Sequence, residues 1–275
     1  MQWIEPEYSK EKVKKAGKFL IAEKVDGHKF REAVPVFFNW RSAHAFPMQI
    51  MLDLLRKNAI RINKKALVVQ RLKRVPSIFN KLFREKGMSL SRMEDIAGCR
   101  AVLNDTKEVK QLYNNLKNSR TKNILHRERD YISNPKESGY RGIHLVFKYN
   151  GSKEKYCGLF VELQLRTNIQ HSWATAVEVV GTFTKQALKA SYGEPVWLEF
   201  FKYASVEFAK LEKCPVDTKY DGIDTLKKLK KCIEILEIEK RLNAFNVAVK
   251  TISSRSGTRG AGYYILFLDL ERRVM

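Results

Sequence analysis

The chain has 275 residues, which is enough for one well-buried core or for one domain with a small appendage. Hydrophobic residues make up 44% of it, and glycine and proline are few, so the composition excludes the disordered and fibrous classes. The net charge of +22 favours a polyanionic partner such as nucleic acid, nucleotide or anionic lipid, although an ordinary solvated basic surface would carry the same charge.

Four cysteines lack both the spacing and the histidine neighbours of a metal site, which predicts reduced thiols: Cys99, Cys157, Cys214 and Cys232. The N-terminal sequence MQWIEPEYSKEKVKK does not show the charged and then apolar pattern of a signal peptide. The apolar run YYILFL is far too short to span a bilayer. We therefore expect a cytoplasmic protein with no membrane partner.

Helical spacing dominates residues 1–60, where KEKVKKAGKFLIAEKV and AFPMQIMLDLLRKNA carry apolar residues about one turn apart. The next segments predict a strand (KALVVQRLK), a helix (PSIFNKLFREK), a second strand (CRAVLN) and an amphipathic helix (KEVKQLYNNLKN). Pro76 suits the first turn of the helix between the two strands, and Gly87 suits its end. One face of that helix is expected to be buried: Ile78, Phe79, Leu82 and Phe83.

Residues 120–180 predict a basic loop, two strands and a helix. The strands GIHLVFKYN and LFVELQLRT alternate, and in the second strand three polar residues share the face opposite the apolar ones: Glu162, Gln164 and Arg166. The helix is IQHSWATAVEVVGTFTKQAL, in which His171 and Trp173 are interpreted as structural residues. A further helix is expected over residues 196–213.

Proline and glycine interrupt the pattern in KCPVDTKYDG, where we place a boundary between a domain of residues 1–215 and a region of residues 216–275. Beyond it the sequence predicts a long helix, IDTLKKLKKCIEILEIEKRLNAF, and two short strands, NVAVKTIS and YYILFLDLE. We expect a linker helix followed by a small β-hairpin element, which need not be complete.

The segment RLKRVPSIFNK brings positive charge to a predicted helix N-terminus. Arg71 and Lys73 lie on the same side of a strand, and Ser77 and Lys81 lie one turn apart on the helix behind it. A triphosphate is bound by this combination of cations, a hydroxyl and exposed backbone N–H groups. An ordinary basic helix face has the same composition, so the segment alone leaves both interpretations open.

Two carboxylates stand where a magnesium ion can bind. Asp95 precedes a predicted strand in which Gly98 allows a close backbone approach, and hard cations prefer oxygen ligands. Glu162 lies on the polar side of an apolar strand, where a carboxylate is costly unless it faces a metal or another cation. The alternatives are a capping role for Asp95 and an ion pair between Glu162 and Arg166.

The loop RERDYISNPKESGYRGIH interleaves cations with aromatic residues. Such a loop can stack a base and hold a phosphate. A plain surface loop would not need Tyr140 between Gly139 and Arg141. The charged and aromatic residues that the loop combines are Arg129, Asp130, Tyr131, Lys136, Tyr140, Arg141 and His144.

Each of these motifs is weak alone, but their order and spacing together are specific. The set R-x-K-x-x-x-S-I-x-x-K, D-I-A-G-x-R, R-D-Y-I-x-x-P-K-x-x-G-Y-R and E-L-Q-L-R-T, within roughly residues 60–190, resembles the RelA/SpoT synthetase domain. The resemblance implies an α+β fold of the nucleotidyltransferase kind, with a mixed β-sheet flanked by helices. It also implies a diphosphotransferase that moves the β,γ-pyrophosphate of ATP onto a ribose 3′-hydroxyl and releases AMP.

The resemblance also implies roles for individual residues. On the donor side, ATP would be bound by Arg71, Lys73, Ser77, Lys81 and Arg100. Mg²⁺ would be bound by Asp95 and Glu162, and Glu162 is also a candidate base for the attacking hydroxyl. Tyr140 would stack on the acceptor base, while the acceptor phosphate would be contacted, or the loop fixed, by Arg129, Lys136 and His144.

Two departures narrow the resemblance. None of the five histidines is followed by aspartate, as the hydrolase half of the long bifunctional enzymes would require. Gly142 stands where housekeeping small synthetases usually carry serine, so the chain is similar to toxic small alarmone synthetases, in particular the fused, CapRel-like phage-defence proteins. In those proteins the C-terminal region inhibits the enzyme until a phage protein relieves it. The alternative for residues 216–275 is an element that only completes the fold.

The acceptor is left open between two classes. Several toxic relatives modify the 3′ end of tRNA and so stop translation, and the charge of +22 favours this acceptor, because a tRNA arm needs a basic track. That track would combine KEKVKK, RKNAIRINKK and the loop before Tyr140. The alternatives are GDP or GTP as acceptor, and an inactive RNA-binding module, against which the pair Asp95 and Glu162 argues.

Overall fold

The computed structural model describes residues 3–24, 26–238 and 240. Five strands are present: β1 (Leu67–Leu72), β2 (Ala97–Leu103), β3 (Ile124–Asp130), β4 (Ile143–Lys148) and β5 (Phe160–Thr167). They form one mixed sheet in the order β1-β2-β5-β4-β3. β2 and β5 pair in parallel at its centre, and the other three pairs are antiparallel.

Within the described residues the α-helices are α1 (Lys10–Leu20), α2 (Gly27–Ala43), α3 (Ala45–Ile62), α4 (Val75–Arg84), α5 (Thr106–Lys117), α6 (Asn168–Phe183), α7 (Pro195–Leu211) and α8 (Thr225–Ile235). Short 3₁₀ turns lie at Leu90–Arg92, Glu154–Tyr156, Leu188–Ala190 and Thr218–Tyr220. Polar side chains at the N-cap accept first-turn N–H groups in α1, α2, α5, α6 and α8: Ser9, Asp26, Asp105, Thr167 and Asp224.

One face of the sheet is packed and the other is polar, because side chains alternate along each strand. Val161, Leu163 and Leu165 of β5 are fully buried in the cluster that α3 and α5 form with the sheet. Burying a side chain of this size stabilises the fold by ~1.5–3 kcal/mol. Glu162 lies between Val161 and Leu163, and Arg166 follows Leu165. Both side chains therefore face the polar side of the sheet.

Two further clusters flank the polar face. α1, α2 and α4 pack around Phe37 and Trp40, with Ile78 as the fully buried contact of α4. α6, α7 and α8 pack around Trp173 and Phe201, and the Trp173 indole N–H donates to the Phe201 carbonyl at 2.9 Å. These clusters set α4 and α6 on either side of the sheet's polar face.

The predicted α+β class with a mixed sheet is confirmed. The helices expected in residues 1–60 are α1, α2 and α3, and the helix expected over residues 196–213 is α7. Four predicted strands are present as β1, β2, β4 and β5. Pro76 lies in the first turn of α4, as its missing N–H and fixed backbone angle favour.

Three expectations are corrected. Residues 124–130 of the predicted basic loop form β3, an edge strand whose residues are mostly exposed, so apolar alternation could not reveal it. Phe83 is 59% exposed, because the cluster around Phe37 and Trp40 contacts α4 through Val75, Ile78, Phe79 and Leu82 and not through Phe83. α4 ends at Arg84, earlier than the stop expected at Gly87.

At the C-terminal side, α8 follows the segment in which we expected a boundary, and it packs on α7, where Thr225 contacts Glu207 and accepts from Lys210 Nζ at 2.7 Å. The end of the predicted linker helix and the strands NVAVKTIS and YYILFLDLE lie outside the described residues. Across the described ranges, every helix is too short or too polar to cross a membrane.

Replacing Leu163 with alanine should lower the free energy of unfolding by ~2–5 kcal/mol, because the lost atoms leave a cavity at the centre of the packed face. Leu67→Ala is the matched control, since Leu67 is 49% exposed and its truncation leaves no cavity. Urea denaturation of both variants gives the comparison. Equal losses would show that the packed face does not account for the stability of the fold.

Candidate active site

A cleft of about 1290 Å³ opens on the polar face of the sheet, between α4, α6 and the loop that ends at Tyr140. Ten of the eleven site residues expected from the sequence line it: Arg71, Lys73, Ser77, Lys81, Asp95, Arg129, Lys136, Tyr140, His144 and Glu162. Twelve lysine or arginine residues line the cleft, against six aspartate or glutamate residues. This excess of positive charge suits a polyphosphate ligand.

Strand pairing sets the spacing of the cleft floor. Gly98 of β2 pairs with Arg71 of β1 on one side and with Glu162 of β5 on the other. Directly paired residues point to the same face of a sheet, so Arg71 and Glu162 rise on either side of a position that has no side chain. A Cβ atom at Gly98 would come no closer than 3.8 Å to its neighbours, so glycine here provides room on the cleft floor.

Asp95 lies between two ammonium groups. Lys73 Nζ is 2.9 Å from Asp95 Oδ2 and Lys81 Nζ is 3.0 Å from Asp95 Oδ1. Burial would raise the pKa of this carboxyl, but the two positive charges outweigh it and the pKa is lowered. Asp95 is therefore ionised and held in one position at neutral pH.

The N-terminus of α4 lies at the cleft. The helix begins at Val75, and the preceding Arg74 makes no side-chain cap hydrogen bond. The first-turn N–H groups of a helix without such a cap are available to an anion. Ser77 and Lys81, one turn apart on this helix, both line the cleft. The structure thus brings together the cations, the hydroxyl and the helix N-terminus that the sequence places near one another.

Five side chains form a closed hydrogen-bonded ring, called here the Glu162 ring: Tyr140, His144, Glu162, Gln164 and Arg166. Glu162 Oε1 is 2.8 Å from His144 Nδ1, and Glu162 Oε2 accepts from Gln164 Nε2 at 2.7 Å. His144 Nε2 is 2.5 Å from the Tyr140 hydroxyl, which accepts from Arg166 Nη2 at 2.8 Å. Arg166 Nη2 also donates to Gln164 Oε1 at 3.1 Å, which closes the ring.

Glu162 is a strongly acidic carboxyl. Burial would raise its pKa, but the contact with His144, the hydrogen bond from Gln164 and the charge of Lys81 lower it to about 2. A carboxyl with this pKa is charged at neutral pH, which suits a metal ligand. A base must also be deprotonated before it can accept a proton, so both roles expected for Glu162 are compatible with this ionised state.

Arg100 is the predicted site residue that does not line the cleft. It pairs with Gln164 across β2 and β5, and its Nε donates to Gln164 Oε1 at 3.4 Å. Burial and the positive charges of Arg166 and Arg71 lower its pKa. The suggested ion pair between Glu162 and Arg166 is wrong, because Arg166 donates to Tyr140 and Gln164 while His144 contacts Glu162.

The loop that carries Tyr140 is held against α7. Ser205 Oγ donates to the Gly139 carbonyl at 2.5 Å. Gly139 has φ +90°, and a Cβ atom there would lie 2.8 Å from Ser205 Cβ, so this close approach requires glycine. On the same loop, Lys136 Nζ lies 4.7 Å from the centre of the Tyr131 ring and 5.3 Å from the centre of the Tyr140 ring.

The structure adds cleft residues to which the sequence analysis assigned no role in the site. Gln164 and Arg166 complete the Glu162 ring, and their place on the polar side of β5 was the available signal. Glu178 of α6 contacts Lys189, and both line the cleft. No local pattern marks this pair, because Lys189 lies in the 3₁₀ turn after α6, 11 positions from Glu178. β3 brings Arg129 opposite His144 of β4.

The donor set fits Mg²⁺ held jointly with phosphate oxygens. Among the residues that the structure describes, no group of three or more His, Cys, Asp or Glu side chains is arranged to hold a metal by itself. Asp95 and Glu162 are ionised and line the same cleft. Mg²⁺ is usually bound by one or two carboxylates together with substrate phosphates, so the two carboxylates of this basic cleft would be sufficient.

Gly139→Ala should lower the melting temperature and displace the Tyr140 loop, because the new methyl group would overlap Ser205. Gly222→Ala is the matched control, since Gly222 has φ +73° and nothing lies within 4 Å of its added Cβ atom. Both variants lose the left-handed backbone freedom, worth ~1 kcal/mol, and Gly139→Ala alone gains a clash. Calorimetric melting curves measure this, and equal shifts would contradict the close packing.

The segment that builds this cleft matches known proteins. Residues 70–183 match the protein family that is described as "Region found in RelA / SpoT proteins". GTP pyrophosphokinase YjbM of Bacillus subtilis is 38% identical over 114 residues, which are 39% of this chain and 52% of that protein. GTP pyrophosphokinase YwaC of the same organism is 32% identical over 114 residues, which are 38% of this chain and 52% of that protein. The chain thus spans about half the length of the curated relatives that it matches.

The fold agrees with this match. The crystal structure of the small alarmone synthetase 1 from Bacillus subtilis superposes with a TM-score of 0.51 at 26% identity, covering 68% of this chain and 94% of that chain. The resemblance seen in the sequence motifs is therefore confirmed. Residues 70–183, which contain both cleft carboxylates, match the RelA/SpoT region, and the chain is similar in sequence and fold to the small alarmone synthetases.

Proposed function

We propose that this chain is an ATP-dependent pyrophosphokinase, which moves the β,γ-pyrophosphate of ATP onto a ribose 3′-hydroxyl and releases AMP. The observation that carries the proposal is the presence of two ionised carboxylates, Asp95 and Glu162, in one basic cleft beside the N-terminus of α4. Transfer of this kind depends chiefly on positioning and on neutralising charge. The names of YjbM and YwaC, both GTP pyrophosphokinases, support the same reaction class.

The donor side of the cleft is assigned to ATP. Arg71, Ser77 and Lys81 line it beside the first turn of α4, whose N–H groups are suited to phosphate oxygens. Lys73 adds a second ammonium group at Asp95. Arg100 is assigned to the same side, because Arg71 lies close enough for its charge to lower the pKa of Arg100. Arg100 does not line the cleft itself but donates to Gln164, which does.

Asp95 and Glu162 are the residues that would hold Mg²⁺. The ion, when bound, neutralises negative charge on phosphate oxygens and orients them for displacement. Lys73 and Lys81 hold Asp95 in place, and His144 holds Glu162. The pKa of about 2 keeps Glu162 charged throughout the neutral range. The charged carboxylate can therefore serve as a ligand of the ion and as the base for the attacking hydroxyl.

GDP or GTP is the first candidate acceptor, which would make the chain a (p)ppGpp synthetase of the cytoplasm. Tyr140 would stack on the guanine base, and Arg129, Lys136 and His144 would surround the ribose and phosphates, since all four residues line the cleft. The relatives named as GTP pyrophosphokinases support this acceptor.

The 3′ end of tRNA is the second candidate acceptor, and the charge of the chain favours it. The net charge of +22 exceeds what one nucleotide requires, whereas a tRNA arm needs an extended basic surface. A terminal adenine would stack on Tyr140 in the same way as guanine. With this acceptor the chain would be a translation-inhibiting toxin, as in CapRel-like phage defence.

ATP labelled on its γ-phosphate, offered in parallel with bulk tRNA and with GDP or GTP, tests the reaction and identifies the acceptor. We expect Mg²⁺-dependent transfer of label to one of them. Asp95→Asn and Glu162→Gln should each lower the rate by at least ~10²-fold, the scale of one preorganised electrostatic contact. Thin-layer chromatography resolves the nucleotides, and gel electrophoresis resolves the labelled tRNA.

Asp53→Asn is the matched control, because it makes the same chemical change at a carboxylate that is 58% exposed on α3. It should leave transfer unchanged. Label on neither acceptor, from the whole chain and from residues 1–215, would contradict the proposal. RNA binding without any turnover would instead favour the inactive RNA-binding module.

We further propose that residues 216–275 form an accessory region that restrains the enzyme. α8 is joined to α7 through Thr225, which contacts Glu207 and Lys210. α7 in turn holds the loop that carries Tyr140, called here the acceptor loop, through the hydrogen bond from Ser205 to the Gly139 carbonyl. This gives the region a physical route to the acceptor site. In phage defence, the phage protein would act on this region.

Expression of residues 1–215 alone should slow bacterial growth more than expression of the whole chain, because the restraint on the acceptor loop is absent. Growth curves at equal protein levels measure the effect. Glu162→Gln in both chains is the control that should abolish the difference. Equal growth with the two chains would show that residues 216–275 only complete the fold.

A further inference from the structure

Arg166 is a buried cation without a carboxylate partner among the residues that the structure describes. Arg166 is 5% exposed. The nearby carboxylate of Glu162 contacts His144 and not Arg166. The charge of Arg166 is also close enough to Arg100 to lower the pKa of that residue. Burying an unpaired charge beside another cation costs stability, so packing does not account for this arginine.

Arg166 holds Tyr140 from two directions. Its Nε and Nη2 both donate to the Tyr140 hydroxyl oxygen, at 3.2 Å and 2.8 Å. Its guanidinium carbon lies 5.0 Å from the centre of the Tyr140 ring. The same group therefore fixes the end of the side chain and also contacts its ring. Tyr131 and Trp173 also contact the ring, and the two hydrogen bonds from Arg166 fix its hydroxyl end.

The two hydrogen bonds from Arg166 also set the direction of the others in the Glu162 ring. A guanidinium only donates, so the Tyr140 oxygen accepts twice and its own proton is directed to His144 Nε2. A neutral His144 then carries its proton on Nδ1, which faces the ionised Glu162 at 2.8 Å. This is the assignment in which each of these contacts joins a donor to an acceptor.

Gln164 takes its orientation from the same arginine. Its Oε1 accepts from Arg166 Nη2 at 3.1 Å and from Arg100 Nε at 3.4 Å. Its amide nitrogen is thereby turned towards Glu162 Oε2, to which it donates at 2.7 Å. Each carboxylate oxygen of Glu162 thus faces a donor whose orientation depends on Arg166.

We propose that Arg166 is the positioning residue of the acceptor site, which holds the Tyr140 ring ready to stack on the purine base of an acceptor with a free 3′-hydroxyl. It acts through the Tyr140 hydroxyl and through Gln164, so it is a positioning residue rather than a catalytic one. The inference rests on the proposed function for the class of acceptor. GDP and a short RNA hairpin ending in CCA both present the required purine ribonucleoside.

A double-mutant cycle with Arg166→Met and Tyr140→Phe tests the inference. Calorimetric titration with GDP and with the CCA hairpin, without ATP, measures acceptor binding independently of turnover. Each single variant should weaken binding of the acceptor probe about tenfold, the equivalent of ~1.4 kcal/mol. The double variant should be no more than about twofold weaker than either single variant, because both changes remove the same hydrogen bonds.

Two further readouts separate positioning from a structural role. Arg166→Met should leave the melting temperature unchanged or higher, since it removes an unpaired buried charge, and it should leave the KM for ATP within about twofold. Arg166→Lys should not restore acceptor binding, because an ammonium cannot donate two N–H groups in the fork geometry of Arg166. Lys110→Met, on the exposed side of α5 behind the sheet, is the control for loss of a cation.

Additive losses of acceptor affinity in the double variant would overturn the inference. It would also be overturned if Arg166→Met lowered the melting temperature and raised the KM for ATP by the same factor as it weakened acceptor binding. Rescue by Arg166→Lys would also overturn it. If Arg166→Met fails to fold, Tyr140→Phe alone must still weaken acceptor binding and spare ATP. Acceptor binding that follows the expected cycle without any pyrophosphate transfer would contradict the proposed function and leave the inference standing. Binding of neither probe by the wild-type chain would overturn the inference itself.

Discussion

The parallel pairing of β2 with β5 is the constraint on which the site depends. It sets Gly98 beside Glu162 and Arg100 beside Gln164, at the centre of the sheet. Because side chains alternate along a strand, a slip of one residue would turn Glu162 into the packed face and Leu163 into the cleft. The burial that stabilises the fold therefore also fixes the position of the carboxylate.

The cleft keeps two carboxylates charged by two different means. Asp95 is held by the ammonium groups of Lys73 and Lys81, two positive charges against its one negative charge, so this group of residues is positive before any ligand binds. Glu162 is held by a ring of hydrogen bonds in which the arginine, Arg166, does not touch it. A cleft of this kind presents a net positive charge to phosphates while keeping oxygen ligands available for a divalent cation.

Much of the architecture could be predicted because the signals are local. The alternation along β5 and the place of Pro76 at the start of α4 depend on a few adjacent residues. The failures have physical causes. β3 is a charged edge strand that buries little, so no apolar period reveals it. Phe83 lies on an apolar helix face that is wider than the layer covering it, and periodicity carries no information about the width of that layer.

The sequence by itself determined the class of fold, the basic character of the chain, the residue types that line the cleft and the resemblance of its central segment to RelA/SpoT proteins. Periodicity, charge and motif spacing are all properties of the linear chain. Tertiary structure alone decided which cation meets which carboxylate, and that Tyr140 lies between His144 and Arg166. The pairs Lys73–Asp95, His144–Glu162 and Tyr140–Arg166 join residues 18 to 26 positions apart. Such contacts depend on strand register and on the packing of the Tyr140 loop against α7, which no local pattern encodes.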